Sequence, residues 1–140
     1  MAVHQPGQDV GQVGGRIDVV EFAVLHEGGQ NWPDPRTLPL DSHMLLALVA
    51  PRPLLLINGS TDTWSDPTGE WQAAQAATAV YRLLGREGVP AKRPPLGQIA
   101  GRGLAVITHE GPHGLLPQDI ERIADFLDAE LSAQQRTQPG

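Results

Sequence analysis

The stretch Asp41–Pro67, DSHMLLALVAPRPLLLINGSTDTWSDP, decides the fold. Asp41 is an N-cap candidate, because its carboxylate can accept an unpaired backbone N–H of a first helical turn. Met44, Leu45, Leu48 and Val49 follow at helical spacing. Pro51 stops that helix at or before Ala50, since a residue preceding proline is pushed out of the α region. Pro53–Asn58, PLLLIN, is a short continuous apolar run bounded by turn residues. Such a run fits a strand buried on both faces of a parallel sheet. Gly59–Ser65 reads as the loop after the strand. Asp66 and Pro67 read as an N-cap followed by proline at the first helical position.

Downstream, Trp71, Ala74, Thr78, Tyr81 and Leu84 trace one face of a second helix, with Gly85 as its stop. Arg86–Gly103 is rich in Gly and Pro and reads as loop. Leu104–Thr108, LAVIT, is a second buried-strand candidate, and Glu110–Leu116 a second strand-end loop. Pro117 opens a last helix with Asp119 and Glu121 in its first turn, where the helix dipole favours acids. Ile120, Ile123, Ala124, Leu127 and Leu131 supply its apolar face, and fraying is expected after Ser132. The order helix, strand, helix, strand, helix gives a right-handed βαβ unit with a short parallel sheet, an α/β class. Upstream, Met1–Gly15 lacks periodicity, Ile17–Leu25 is one short apolar run, and His26–Pro39 is loop by composition. The expected organisation is a poorly structured segment over residues 1–37, an α/β portion over 38–133 and a disordered tail over 134–140.

The bulk composition bounds function. One hundred and forty residues suffice for one domain. A net charge of −6 without a basic run argues against nucleic acid as partner. With no cysteine, disulfides and thiolate chemistry are excluded. No apolar run approaches the ~20 residues of a membrane-spanning helix. Met1–Gly15 lacks the basic-then-apolar layout of a secretory signal, which makes the cytoplasm the default compartment.

Functional groups in open α/β sheets gather at the carboxyl ends of strands. The first strand-end loop carries Asp62 and Trp64, the second His109 and His113. An acid on one loop and a histidine on the next can orient a general-base imidazole and balance its charge. The competing reading is that Asp62 caps a turn and His113 is an exposed loop residue. His109–His113 also spells H-E-x-x-H, which binds zinc only when both imidazoles share one helical face. Proline at position 112 would cost such a helix about 3 kcal/mol, so His109 reads instead as a strand-end residue with a supporting role. Ser60 is no nucleophile elbow, for it lacks G-x-S-x-G spacing. Trp64 suits a platform for a sugar ring, and the alternative is that it packs under the next helix beside Trp71.

Leu38–Leu54 (LPLDSHMLLALVAPRPL), Asp62–Pro67 (DTWSDP), Tyr81–Gly85 (YRLLG) and Gly111-Pro112-His113 together resemble the C-terminal half of the glucuronoyl esterases, a family of carbohydrate esterases. The resemblance runs from about residue 38 to about residue 131. It implies a partial α/β-hydrolase three-layer sandwich. It also implies cleavage of the ester between 4-O-methyl-glucuronate on xylan and lignin alcohols, by a serine–histidine–acid mechanism without metal or cofactor. By position, His113 matches the histidine base, Asp62 the acid after the penultimate strand in many bacterial members, and Trp64 a tryptophan lining the glucuronate pocket. Other members take their acid from a glutamate on an earlier strand.

Two features depart from the family. Residues 1–30 do not resemble the segment with the serine elbow and the oxyanion-hole arginine, and Gly114 stands where an aspartate is common. The expectation is a truncated or frame-disrupted member of an esterase lineage, inactive or nearly so by itself. The alternatives are a non-catalytic remnant or interaction module that pairs its sheet edge with another chain, and a zinc hydrolase on His109 and His113.

Overall fold

The computed structural model describes residues 41–137. The readings of residues 1–40, including Ile17–Leu25, Trp32 and the boundary at residue 38, lie outside the described residues, as do residues 138–140. Three helices and three strands follow in the order α1 (Ser42–Val49), β1 (Leu54–Gly59), α2 (Pro67–Leu83), β2 (Ile99–Arg102), β3 (Leu104–His109) and α3 (Pro117–Thr137).

Local chemistry starts and stops the first two helices as the residues dictate. The Asp41 carboxylate accepts from the Ser42 N–H at 2.6 Å and caps α1, while Ala50, before Pro51, already has extended geometry. In α2 the Asp66 carboxylate accepts from the Gly69 N–H at 3.1 Å, and Pro67 takes the first helical position. Trp71, Ala74, Thr78 and Tyr81 are buried along one face. Leu84 is half exposed instead, because it already serves as the C-cap residue and Gly85 turns the chain away at φ +78°.

The sheet is where expectation and structure part. It is mixed, in the order β1–β3–β2, and not purely parallel. β1 runs parallel to β3 with Leu54 opposite Leu104 and Gly59 opposite His109. β2, inside the stretch expected to be loop, pairs antiparallel with β3. Arg102 lies opposite Leu104, so Gly103 alone makes the turn, at φ +76°. Only a residue tolerant of the left-handed region fits so short a connection. β3, covered on both edges, is buried at every position, whereas β1 alternates buried Leu54 and Leu56 with half-buried Leu55 and Ile57.

Leu46 and Val49 of α1, Trp71, Ala74, Ala77 and Tyr81 of α2, and Leu54, Leu56, Leu104 and Val106 of the sheet form one core. The Tyr81 hydroxyl donates to the Arg52 carbonyl at 3.1 Å, which satisfies the polar end of the largest fully buried side chain among the described residues. α3 touches β1 and β2. Its inward face differs from the expected apolar stripe. Asp119, Phe126 and Glu130 are buried, whereas Ile120 is 57 % and Leu131 38 % exposed. The reason is polar. Glu130 accepts from the Gly103 N–H at 2.7 Å and pairs with Arg86, and Asp119 accepts from the Leu116 N–H at 2.7 Å. These bonds set the rotation of α3, and the helix continues past Ser132 to Thr137. No described helix is long and apolar enough to cross a membrane.

Candidate functional site

Parallel pairing of β1 with β3 sends both strands out at one end of the sheet, so the loops after Gly59 and His109 are neighbours. Their backbones are tied together. Ser60 N–H donates to the His109 carbonyl at 2.8 Å, Thr61 N–H to the Gly111 carbonyl at 2.9 Å, and Gly111 N–H to the Ser60 hydroxyl at 3.2 Å. Gly59 permits this approach. A Cβ there would lie 2.2 Å from the Pro112 carbonyl oxygen and 2.4 Å from that of Gly111.

Across this seam Asp62 Oδ2 meets His113 Nδ1 at 2.7 Å. The Asp62 side chain is 1 % exposed and the His113 side chain 78 %. Asp62 is further held by the Trp64 N–H at 2.9 Å, the Ser65 N–H at 3.2 Å and the Ser65 hydroxyl at 2.7 Å. Burial alone would push the Asp62 carboxyl up. The donors from Ser65, His113 and the Trp64 backbone outweigh it and hold the group at about 2. Asp62 therefore does cap a turn and His113 is indeed exposed, and the two still make the charge-assisted contact.

A second carboxylate lies close by and behaves oppositely. Glu70, 8 % exposed in the first turn of α2, accepts from the Asn58 side-chain amide at 3.0 Å. Burial raises its pKa, the Asn58 bond partly counters this, and the Asp62 charge adds to the rise. The two acids are pushed in opposite directions, and Asp62 is the one whose ionised form its surroundings favour. Beneath them Arg93 donates to Thr108 Oγ1 at 2.7 Å and sits 5.9 Å from the centre of the Trp71 ring. Trp71 is thus a core residue, and Trp64, 78 % exposed, does not pack beside it.

The H-E-x-x-H pentapeptide does not form the helical turn a zinc pair requires. His109 ends β3, residues 110–114 are bends, and the two rings part company. His109, 1 % exposed, faces Asp119, while His113 faces Asp62. His43 lies apart, at 3.3 Å from Asp41. Three contributors were missed in the sequence. Ser65 could have been found from its Asp-x-x-Ser spacing, which suits a side-chain-capped turn. Gly59 and Asp119 act through long-range neighbours and have no local signal.

This geometry has relatives. A family model described as "Glucuronyl esterase, fungi" matches residues 19–85. The carbohydrate esterase MZ0003, from an unknown prokaryotic organism, is 40 % identical over 96 residues, covering 68 % of this chain and 22 % of its own. Among solved structures, a promiscuous esterase of carbohydrate esterase family 15 from a marine bacterial metagenome matches with a TM-score of 0.66. It is 39 % identical, over 71 % of this chain and 25 % of that one. A glucuronoyl esterase from Solibacter usitatus matches with a TM-score of 0.63 and 36 % identity, over 67 % and 24 % of the two chains. The chain spans about a quarter of the length of these relatives. Over that span, by sequence and by structure, the chain is a partial match to carbohydrate esterase family 15, the glucuronoyl esterases.

Proposed function

We propose that this chain carries the acid–base pair of a carboxylic-ester hydrolase acting on glucuronate esters of plant cell-wall xylan, within the three-layer sandwich of an α/β-hydrolase. The supporting observation is the 2.7 Å contact between a buried, ionised Asp62 and an exposed His113. With Nδ1–H donated to Asp62, the lone pair of His113 lies on Nε2. That nitrogen takes the proton of an attacking hydroxyl as its oxygen bonds to the ester carbon. Asp62 stabilises the resulting imidazolium, which returns the proton to the departing alcohol oxygen as the C–O bond breaks. Trp64, exposed two residues from Asp62, offers its ring face to the sugar.

The attacking hydroxyl must come from outside these residues. The sequence has four serines and no G-x-S-x-G. Ser42 Oγ is on Asp41, Ser60 Oγ accepts from Gly111, Ser65 Oγ is on Asp62, and Ser132 is exposed on α3. The chain alone is accordingly expected to turn over no benzyl glucuronate. A chimera in which residues 41–137 replace the matching segment of the marine metagenomic esterase is expected to hydrolyse it, and to lose that activity with His113→Ala. A folded chimera with no activity would refute the assignment.

A second reading rests on the edge of β1. It is open among the described residues, and Leu55 and Ile57 beside it are only half buried. Such an edge can pair with a strand of another chain. Association that rises with concentration in sedimentation, and that a proline in β1 abolishes, would favour an interaction module.

A further inference from the structure

One buried histidine at this end of the sheet is unused by the mechanism. His109 Nε2 lies 3.1 Å from the Pro112 carbonyl oxygen, and Nδ1 lies 2.8 Å from Asp119 Oδ2. The Nδ1–Asp119 approach falls outside hydrogen-bond geometry and becomes an ion pair when the ring carries both protons. Both ring neighbours are acceptors. A carbonyl can only accept, so Nε2 carries a hydrogen. Asp119 sits in the first turn of α3, where it also takes the Leu116 N–H while Leu116 O takes its own N–H at 2.9 Å. The side chain of Asp119 thus makes the N3 half of a capping box, and a backbone turn bond to the Leu116 carbonyl closes the other half. Asp119 is therefore fixed to the helix start and in turn fixes the ring.

The carbonyl that His109 grips belongs to the residue before His113. The same oxygen faces Gly59, where the missing Cβ leaves it room. We infer that His109, braced by Asp119, is a positioning residue that sets the orientation of His113 through the Pro112 carbonyl. The line runs from the start of α3 through the end of β3 to the exposed imidazole. Ser60 and Thr61, just after β1, hold Gly111 from the other side, so the chain leading to His113 is tied to the β1 loop at Gly111 and to the end of β3 at Pro112. Removing the ring leaves the β1 ties in place but frees the Pro112 peptide plane, on which the direction of the His113 side chain depends. Hydrogen-bonded orientation of this kind is the usual means of holding a reacting imidazole.

The inference rests on the assignment of His113 as the base, but it is read without substrate. In the full 140-residue chain, long-range proton–nitrogen NMR is expected to show His109 protonated at Nε2, and a low-field Nδ1 proton on His113 shared with Asp62. An unprotonated His109 Nε2 would overturn the proposal without any variant. His109→Phe, which fills the space without donating, is expected to keep the helical circular dichroism and lose the low-field His113 proton to solvent exchange. His109→Gln, with an amide N–H for the carbonyl, is expected to recover part of it. Asp119→Asn, which keeps an oxygen for Leu116, is expected to weaken it. In the active chimera, His109→Phe is expected to lower kcat about a hundredfold with KM nearly unchanged. Folded variants whose His113 proton matches the parent in position and exchange would overturn the positioning role while leaving the esterase assignment standing. An inactive chimera with an intact His113 proton would do the reverse.

Discussion

Two buried carboxylates sit at opposite functional extremes of this molecule. Glu130 lies under the β2–β3 turn, with one oxygen on the Gly103 amide and the other on Arg86. Asp62 lies at the strand ends, with one oxygen on backbone amides and the other shared by Ser65 and His113. Both are acids removed from water and satisfied by backbone and a cationic or ionisable partner. The partners differ. The guanidinium of Arg86 is 22 % exposed and is a fixed fork of donors with no acceptor, so that pair only holds structure. The imidazole of His113 is 78 % exposed and can exchange its proton with whatever approaches. Identical acid chemistry thus yields a clamp in one place and, under the proposed function, a proton relay in the other, and the exposure and chemistry of the partner decide which.

Breaking the relay should act on rate and spare the fold. In the chimera, Asp62→Asn is expected to lower kcat about 10⁴-fold, as for loss of the acid in a serine triad, while the native circular dichroism is kept at a moderate loss of stability near neutral pH. A stability loss with retained rate would erase the contrast. Breaking the clamp should do the opposite. Glu130→Ala leaves Arg86 and the Gly103 amide without their acceptor and is expected to cost about 3 kcal/mol in urea unfolding, while the His113–Asp62 proton persists in NMR.

Two smaller effects sharpen the comparison. Glu70 is buried and its pKa raised, so its ionised form is a burden on the fold. Glu70→Gln keeps an oxygen for Asn58 and is expected to stabilise by about 1 kcal/mol, read as roughly 5 °C in Tm. Asp62 is the reverse case. Its carboxyl falls from 3.8 to about 2 on folding, so the unfolded chain binds the proton more readily and the ionised form favours the fold. That contribution is complete above about pH 4 and fades as pH falls toward 2. The gap in stability between the parent and Asp62→Asn should therefore close across that interval; a gap independent of pH would contradict the assignment of charge.

What was legible beforehand follows from the range of the interactions. α1, β1 and α2 could be read because Asp41, Pro51, Asp66 and Pro67 act on their immediate neighbours. Asp62 and His113 could be paired because each directly follows an apolar run, and parallel strands end together. β2 was hidden by Gly97, Gly101 and Gly103, all at positive φ, which mark turns in a sequence yet here flank and bend a short antiparallel strand. The inward face of α3 was misjudged because Asp119 and Glu130 are buried through partners far away in sequence, and apolar periodicity does not see such bonds. The likeness to glucuronoyl esterases was legible from four short stretches, and the comparisons bear out the family as a partial match.

The contrast in exposure between Trp64 and Trp71 has an optical consequence. Of the two indoles among the described residues, one is 78 % exposed beside the acid and the other 7 % exposed in the core. Excited together, the first emits as a solvated fluorophore open to aqueous quenchers, and the second as a shielded one. With Trp32 replaced by phenylalanine, a sugar settling on the loop would shift only the red-edge component of the remaining two, a built-in gauge of occupancy that needs no attached dye.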